Sequence, residues 1–193
     1  RQAEYDGSGN WKASYIYGNG QKLARIIPED MPPIDLGVWS YGMNSSDDQN
    51  KGIFYVNGTT CIYNTGRGHH LLVVDKNTGS IIEHTIYDTH NSSAEANEMA
   101  FYIDNLSGDY IVLVGIRDEG SNCMTEAAYK ALESLGSAKC RDVGYRDSWC
   151  MVGIKGAPKG IVKEVHHDRY NTGCLLYTSP SPRDLSTSRM PSS

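Results

Sequence analysis

Ile111-Val112-Leu113-Val114-Gly115-Ile116 is a continuous apolar run rich in β-branched residues, and it breaks abruptly into the charged turn Arg117-Asp118-Glu119-Gly120-Ser121. Such a run suits a strand covered on both faces. Gly120 is the residue of the turn that is free to take a positive φ. A helix is predicted next. Thr125 is a suitable N-cap, Ala128, Leu132 and Leu135 share one face, Glu126 and Lys130 pair on the other, and Gly136 ends the run. After a loop, Gly144-Tyr145-Arg146-Asp147 leads into a second largely apolar strand, Ser148-Trp149-Cys150-Met151-Val152-Gly153-Ile154, which stops at Lys155-Gly156. Two strands bracket one capped helix, and the charged residues gather at one end of the strands.

Working outward, Asp35–Tyr41 and Gly52–Val56 read as strands joined by the polar loop Asn44–Lys51, and Asn57-Gly58 turns the chain into a third strand, Thr59–Tyr63. Three short strands in succession predict antiparallel sheet. Gly66-Arg67-Gly68 introduces the strand His70–Asp75, and Asn77-Thr78-Gly79 turns it into Ser80–Asp88. A dinucleotide-binding loop does not fit these glycines, because a strand follows them where that loop requires a helix. Ala94–Leu106 reads as a helix burying Ala96, Met99, Ala100, Ile103 and Leu106, capped by Ser92 or Ser93. Residues 1–33 read as a connector punctuated by glycine turns and prolines, with a possible strand at Ala13–Tyr17.

The order of these signatures resembles the ILEI/PANDER domain. The segments that carry the likeness are Arg117–Ser121, Leu135–Ser137, Tyr145–Trp149, Gly153–Gly156 and the Gly66–Asp88 hairpin. That domain occurs in interleukin-like, pancreatic-derived secreted factors, in the stem of protein O-mannose N-acetylglucosaminyltransferase, and in cell-migration-inducing hyaluronan-binding proteins. The resemblance covers residues 34–165. It implies an α+β fold of two antiparallel β-sheets packed as a sandwich with flanking helices; the residues alone show mixed strands and helices. Two departures stand out: Tyr145 occupies a position where Trp or Phe is common, and Cys123 falls in the loop after the acidic turn.

Residues 166–173 read as a short extension, and residues 174–193 as foreign. Cys174–Asp184 and Ser188–Ser193 resemble the translated ends of a sequencing-library adapter, with Leu185–Thr187 standing where a sample index would lie. A disordered Ser/Pro-rich tail is the alternative. The whole chain of 193 residues carries a formal charge of −5; the last twenty residues hold two arginines and one aspartate, so the remainder stands at −6. That acidity, with no Lys/Arg cluster, disfavours nucleic acid as a partner. Of the five cysteines, Cys61, Cys123, Cys140 and Cys150 precede the tail, enough for two disulfides in any of three pairings. Four glycosylation sequons begin at Asn44, Asn57, Asn91 and Asn105. With the resemblance, they suggest a secreted or Golgi-lumen setting. No apolar stretch reaches the length of a membrane span, and the chain opens on Arg1, so a missing leader carries no information.

Sugar recognition needs carboxylate acceptors, Arg donors and an aromatic face. Resemblance to the glycosyltransferase stem, a sugar-binding module, assigns Arg67, Asp118 and Arg146 to hydroxyl contacts, and Asp147 and Trp149 complete the set. The competing structural reading makes Asp118 and Arg146 a mutually satisfying ion pair and Trp149 a core residue. A glycosidase acid/base pair among Asp118, Glu119 and Asp147 lacks any signal fixing the carboxylate separation. The doublets His69-His70 and His166-His167 are poor chelates, since neighbours on a strand face opposite ways, and no metal or cofactor is expected. The expected function is therefore a noncatalytic carbohydrate-binding module, with a secreted signalling factor that binds a receptor, or a fragment of a larger glycosyltransferase or hyaluronan-binding protein, as alternatives.

Overall fold

The computed structural model describes residues 2–5, 11–18, 21–26, 34–46, 52–63 and 65–178. The polar loop after Ser46, the glycine and proline punctuation of the connector, and residues 179–193 lie outside the described residues. The chain divides into two compact units. In the first, β1 (Gln2–Tyr5), β2 (Trp11–Gly18) and β3 (Gln21–Ile26) form an antiparallel three-stranded sheet, where the sequence predicted only the central strand.

The second unit, Asp35–Thr178, contains β4 (Leu36–Gly42), β5 (Gly52–Val56), β6 (Thr59–Tyr63), β7 (Gly68–Asp75), β8 (Ile81–Tyr87), α1 (Ser93–Asn105), β9 (Tyr110–Asp118), α2 (Glu126–Ser134), β10 (Ser148–Ile154), β11 (Lys163–His167) and β12 (Cys174–Thr178). Its nine strands form one hydrogen-bonded sheet, where two had been expected. The central strand β9 pairs antiparallel with β7 on one side and with β10 on the other. Beyond Gly115 the β10 side of β9 becomes available, and there β4 runs parallel to it through Tyr41↔Arg117 and Gly42↔Asp118. The first half of β4 meanwhile pairs with β5 and β12, so β4 joins the β5–β6 arm to the centre.

One hydroxyl holds this fork. The buried Ser40 Oγ donates to the Ile116 carbonyl at 2.7 Å and accepts from the amides of Ile116 at 3.2 Å and Trp149 at 3.1 Å. It replaces ladder bonds that β9 and β10 lose on parting, and so avoids the cost of buried, unsatisfied amides.

Both helices cover one face of the β7–β9–β10 region. Leu71, Val112, Val114, Ile116, Trp149 and Met151 point into a core shared with Met99 and Ile103 of α1 and Ala128 and Leu132 of α2. Leu72, Leu113 and Cys150 are buried on the opposite face, so β9 is covered on both sides as its continuous apolar run implied. The caps match the sequence: Ser92 Oγ accepts from the Glu95 amide at 3.1 Å and Thr125 Oγ1 from the Ala128 amide at 3.2 Å. Gly136 leaves α2 with φ 103°.

All five cysteines are free thiols, with Cys140, Cys150 and Cys174 buried. Two strands of this second unit went unpredicted. β11 is built from Lys163-Glu-Val-His-His, which lacks an apolar run, and β12 occupies Cys174–Thr178, the start of the adapter-like stretch, paired with Leu36–Ser40.

Candidate functional site

The parallel step between β4 and β9 brings four chain segments to one end of the sheet. Register sets Gly68 against Arg117 and Gly42 against Asp118, which places Arg67, the start of β4's exit loop and the end of β9 side by side. Gly42 has no room for a side chain. A Cβ there would lie 2.0 Å from the Arg146 carbonyl oxygen, so the turn before β10 presses directly on β4. The end of β4, the end of β9, the turn Tyr145–Asp147 and the residue before β7 therefore share one rim. Gly42→Ala is expected to push that turn outward, costing about 1–3 kcal/mol in a urea titration; an unchanged midpoint would show that the contact yields easily.

Two non-glycine residues of this rim adopt left-handed backbone, Asp118 with φ 66° and Arg146 with φ 63°. The expected left-handed residue of the acidic turn, Gly120, does not take that conformation; Asp118 does, and its carbonyl accepts from the Met43 amide at 2.8 Å. Left-handed conformation costs a β-substituted residue on the order of 1–3 kcal/mol and persists only where the surroundings enforce it. Asp tolerates it better than Arg does. The enforced result is that Asp118 and Arg146 both turn away from the directions their strands would give them.

They do not form the ion pair considered from sequence. Among the described residues, the Asp118 carboxylate has no hydrogen-bond or ion-pair partner, and Arg146 donates instead to Asn44 Oδ1 at 3.2 Å while its guanidinium lies 5.0 Å from the centre of the Tyr145 ring. Tyr145 is about half exposed. Arg67 makes a bidentate pair with Asp88, at 3.1 and 2.9 Å. That pair raises the Arg67 pKa, with the charges of Asp118 and Glu119 adding to the effect, and it holds Asp88 below the usual carboxylate range.

Glu119 is buried beneath the rim. Its Oε1 accepts from the amide and hydroxyl of Ser121, each at 2.6 Å, and its Oε2 lies 2.5 Å from His90 Nδ1. Burial pushes its pKa up, but these bonds from Ser121 and His90 outweigh burial and keep it below the ordinary value. The His90 ring in turn sits 6.3 Å from Tyr145.

Two sequence-predicted residues leave the site. Trp149 is fully buried in the core, its Nε1 donating to Glu164 Oε2 at 3.3 Å, so it has no face to offer a sugar. Asp147 is 8% exposed, and its oxygens accept from the Gly144 amide, the Arg169 amide and His166 Nε2, each at 2.8 Å. It braces the turn from inside. The exposed aromatic ring at this rim is that of Tyr145, which sequence reasoning did not assign to the site although it was legible as the aromatic preceding Arg146, and His90, bonded to Glu119, was likewise unassigned.

The family model described as interleukin-like EMT inducer matches residues 67–157. Among curated proteins, the Homo sapiens cell migration-inducing and hyaluronan-binding protein is 31% identical over 98 residues, 51% of this chain and 7% of that protein. Protein FAM3A of Mus musculus is 30% identical over 103 residues, 53% of this chain and 44% of that one. The cell surface hyaluronidase of Danio rerio is 29% identical over 113 residues, 57% of this chain and 8% of that one. The chain thus spans less than half the length of each of these relatives. No helix among the described residues is long and apolar enough to cross a membrane. The matched segment contains both helices and the strands β7, β9 and β10 that carry most of the rim, and with it this chain contains a domain of the ILEI/PANDER family.

Proposed function

We propose that the rim formed by Arg67, Asp118, Tyr145 and Arg146 is a carbohydrate-binding surface, working without catalysis in a secreted or Golgi-lumen protein and recognising N-acetylglucosamine-containing glycans. One observation carries the proposal: an unpartnered carboxylate and an arginine on an exposed aromatic ring sit together on backbone held in a costly conformation. Asp118 supplies acceptors for sugar hydroxyls, Arg146 and Arg67 supply donors, and the half-exposed Tyr145 ring suits the apolar side of a pyranose ring. Glu119 and Asp147 are engaged by internal donors, which argues against their acting as the acid and base of a glycosidase. Two relatives are named for hyaluronan binding and hyaluronidase, a further support for a glycan ligand. The sandwich implied by the family belongs to the same proposal: the Phe54 ring of β5 meets His84 of β8 edge to face at 5.6 Å, as facing arms would require. The family model's interleukin-like description favours a second reading, a signalling factor bound by a receptor protein.

The test is a titration of the folded chain with oligosaccharides ending in N-acetylglucosamine and with hyaluronan fragments. Arg146→Ala and Asp118→Asn are each expected to weaken binding by at least about tenfold, the scale of one hydrogen bond to a charged group, with unchanged circular dichroism. A folded chain that binds no glycan sinks the proposal and leaves the receptor reading standing.

A further inference from the structure

We propose that Asp147, His166 and Asp168 form a binding site for a divalent first-row transition ion of the Zn2+ or Mn2+ type. The ligand-capable atoms of the three side chains all lie within 4.8 Å of one another, with His166 Nε2 2.8 Å from Asp147 Oδ2.

Strand register explains how they meet. In the β10–β11 ladder Ser148 faces His167 and Trp149 faces His166. One further step sets Asp147 opposite Asp168, with His166 on the same side of the hairpin. Like charges directly across a ladder destabilise it. Among the described residues no Lys or Arg pairs with either carboxylate, and the closest candidate in sequence, Arg169, lays its guanidinium over Tyr170 at 4.7 Å. Among the described residues the His166 imidazole is the side-chain partner of Asp147. A cation between the two carboxylates removes the repulsion and uses all three groups.

The first ligand is already fixed. Asp147 is nearly buried, and the amides of Gly144 and Arg169 orient its two oxygens while leaving lone pairs for an ion. Asp168 is exposed and follows the last residue of β11, so it has freedom to move inward. Only a small movement is needed, since two ligands of a tetrahedral ion of this type stand roughly 3.4 Å apart. An imidazole in the set selects transition ions over Ca2+ and Mg2+, which prefer oxygen alone. His167 plays no part, as its Nδ1 lies 3.0 Å from the Thr172 carbonyl. The doublet is indeed a poor chelate, but one of its members meets two aspartates that sequence separation concealed. On binding, His166 gives up its hydrogen bond to Asp147 and turns the Nε2 lone pair to the ion, the ring's single proton then sitting on Nδ1.

Isothermal titration calorimetry of the full chain with ZnCl2 and MnCl2, compared with CaCl2, tests the site. One ion per chain is expected to bind at this position, and more tightly for Zn2+ than for Ca2+. Asp168→Asn and His166→Gln are expected to weaken binding by at least about tenfold, and His167→Ala to leave it unchanged. Asp168 is exposed, so its variant tests the site without threatening the fold, which circular dichroism confirms. No Zn2+ or Mn2+ binding by the folded chain, unchanged affinity in the two ligand variants, or a preference for Ca2+ each overturns the proposal. None of these outcomes depends on whether the chain binds a glycan.

Discussion

Trp149→Ala is expected to lower unfolding stability by about 3–5 kcal/mol, the range for deleting a large buried aromatic. The ring touches the core from the sheet side, beneath both helices, and packs edge to face against His69 with ring centres 6.0 Å apart. The cavity would lie where elements from four parts of the chain meet, which leaves little chance of collapse around it. The lost indole bond costs less. Glu164 keeps the Ser137 hydroxyl at 2.7 Å and the amides of Ala138 and Lys139 at 2.7 and 3.1 Å. Trp149→Phe, which retains most of the volume, should therefore recover most of the loss. Chemical denaturation of both variants decides the matter: a drop under about 1 kcal/mol for the alanine variant would mean that this core is not packed to the density of a protein interior.

Acid should begin to destabilise the protein before its carboxylates titrate, because two histidines are buried neutral. His69 Nδ1 faces Thr89 Oγ1 at 2.7 Å, and since that hydroxyl already donates to the Gly120 carbonyl, the imidazole is the donor. Burial holds the His69 pKa down to about 4, against an opposing pull from the Glu119 charge. Burial also holds His70 down to about 3, outweighing the Gly66 carbonyl; His84 and Arg117 push it lower still. His70 Nε2 lies 3.3 Å from that carbonyl and so donates, which leaves Nδ1 to accept from His84 Nε2 at 3.2 Å. A second proton on His70 would set two donors against each other. In the unfolded chain both histidines take up protons near 6.5. Folded pKa values below unfolded ones mean that their contribution is complete above that value and is lost as pH falls toward 4 and 3. By about pH 4.5 each removes roughly 2–3 kcal/mol. Asp88 and Glu119, also held low, act in the same direction but only at lower pH, through the carboxylate range. Urea unfolding at about pH 7 and 4.5 measures the loss, and His69→Asn, which cannot titrate, should reduce it by roughly half. Equal stability at the two pH values would show that the folded protein accommodates both imidazolium charges.

Much of the fold was legible because its signals are local. Thr125 and Gly136 bracket α2, and the unbroken run Ile111–Ile116 announces a strand buried on both faces. The convergence of Arg67, Asp118 and Arg146 on one rim was legible too, since each lies at a strand end. What stayed hidden depends on distant partners. The parallel step from β4 to β9 joins segments far apart in sequence and spans two residue pairs, too few to shape a pattern. β11 became a strand through pairing with β10, against its composition. Trp149 lies in the core and Tyr145 on the surface, and aromatic chemistry suits either place; only position, inward on the strand for Trp149 and before the strand for Tyr145, distinguishes them.

The Ser40 hydroxyl sets an order of events during synthesis. It binds the Ile116 backbone 76 residues later and the Trp149 amide 109 residues later. A chain emerging from the ribosome at about 5–20 residues per second must therefore wait several seconds after Ser40 appears before its last partner exists. The hairpins β5–β6 and β7–β8 and helix α1 can form meanwhile from neighbouring residues, whereas long-range pairings of this kind are slow. The junction that positions Gly42, Asp118 and Arg146 is thus among the last parts of the molecule to be completed, and a nascent chain stalled before Trp149 would display helices and hairpins but no assembled rim.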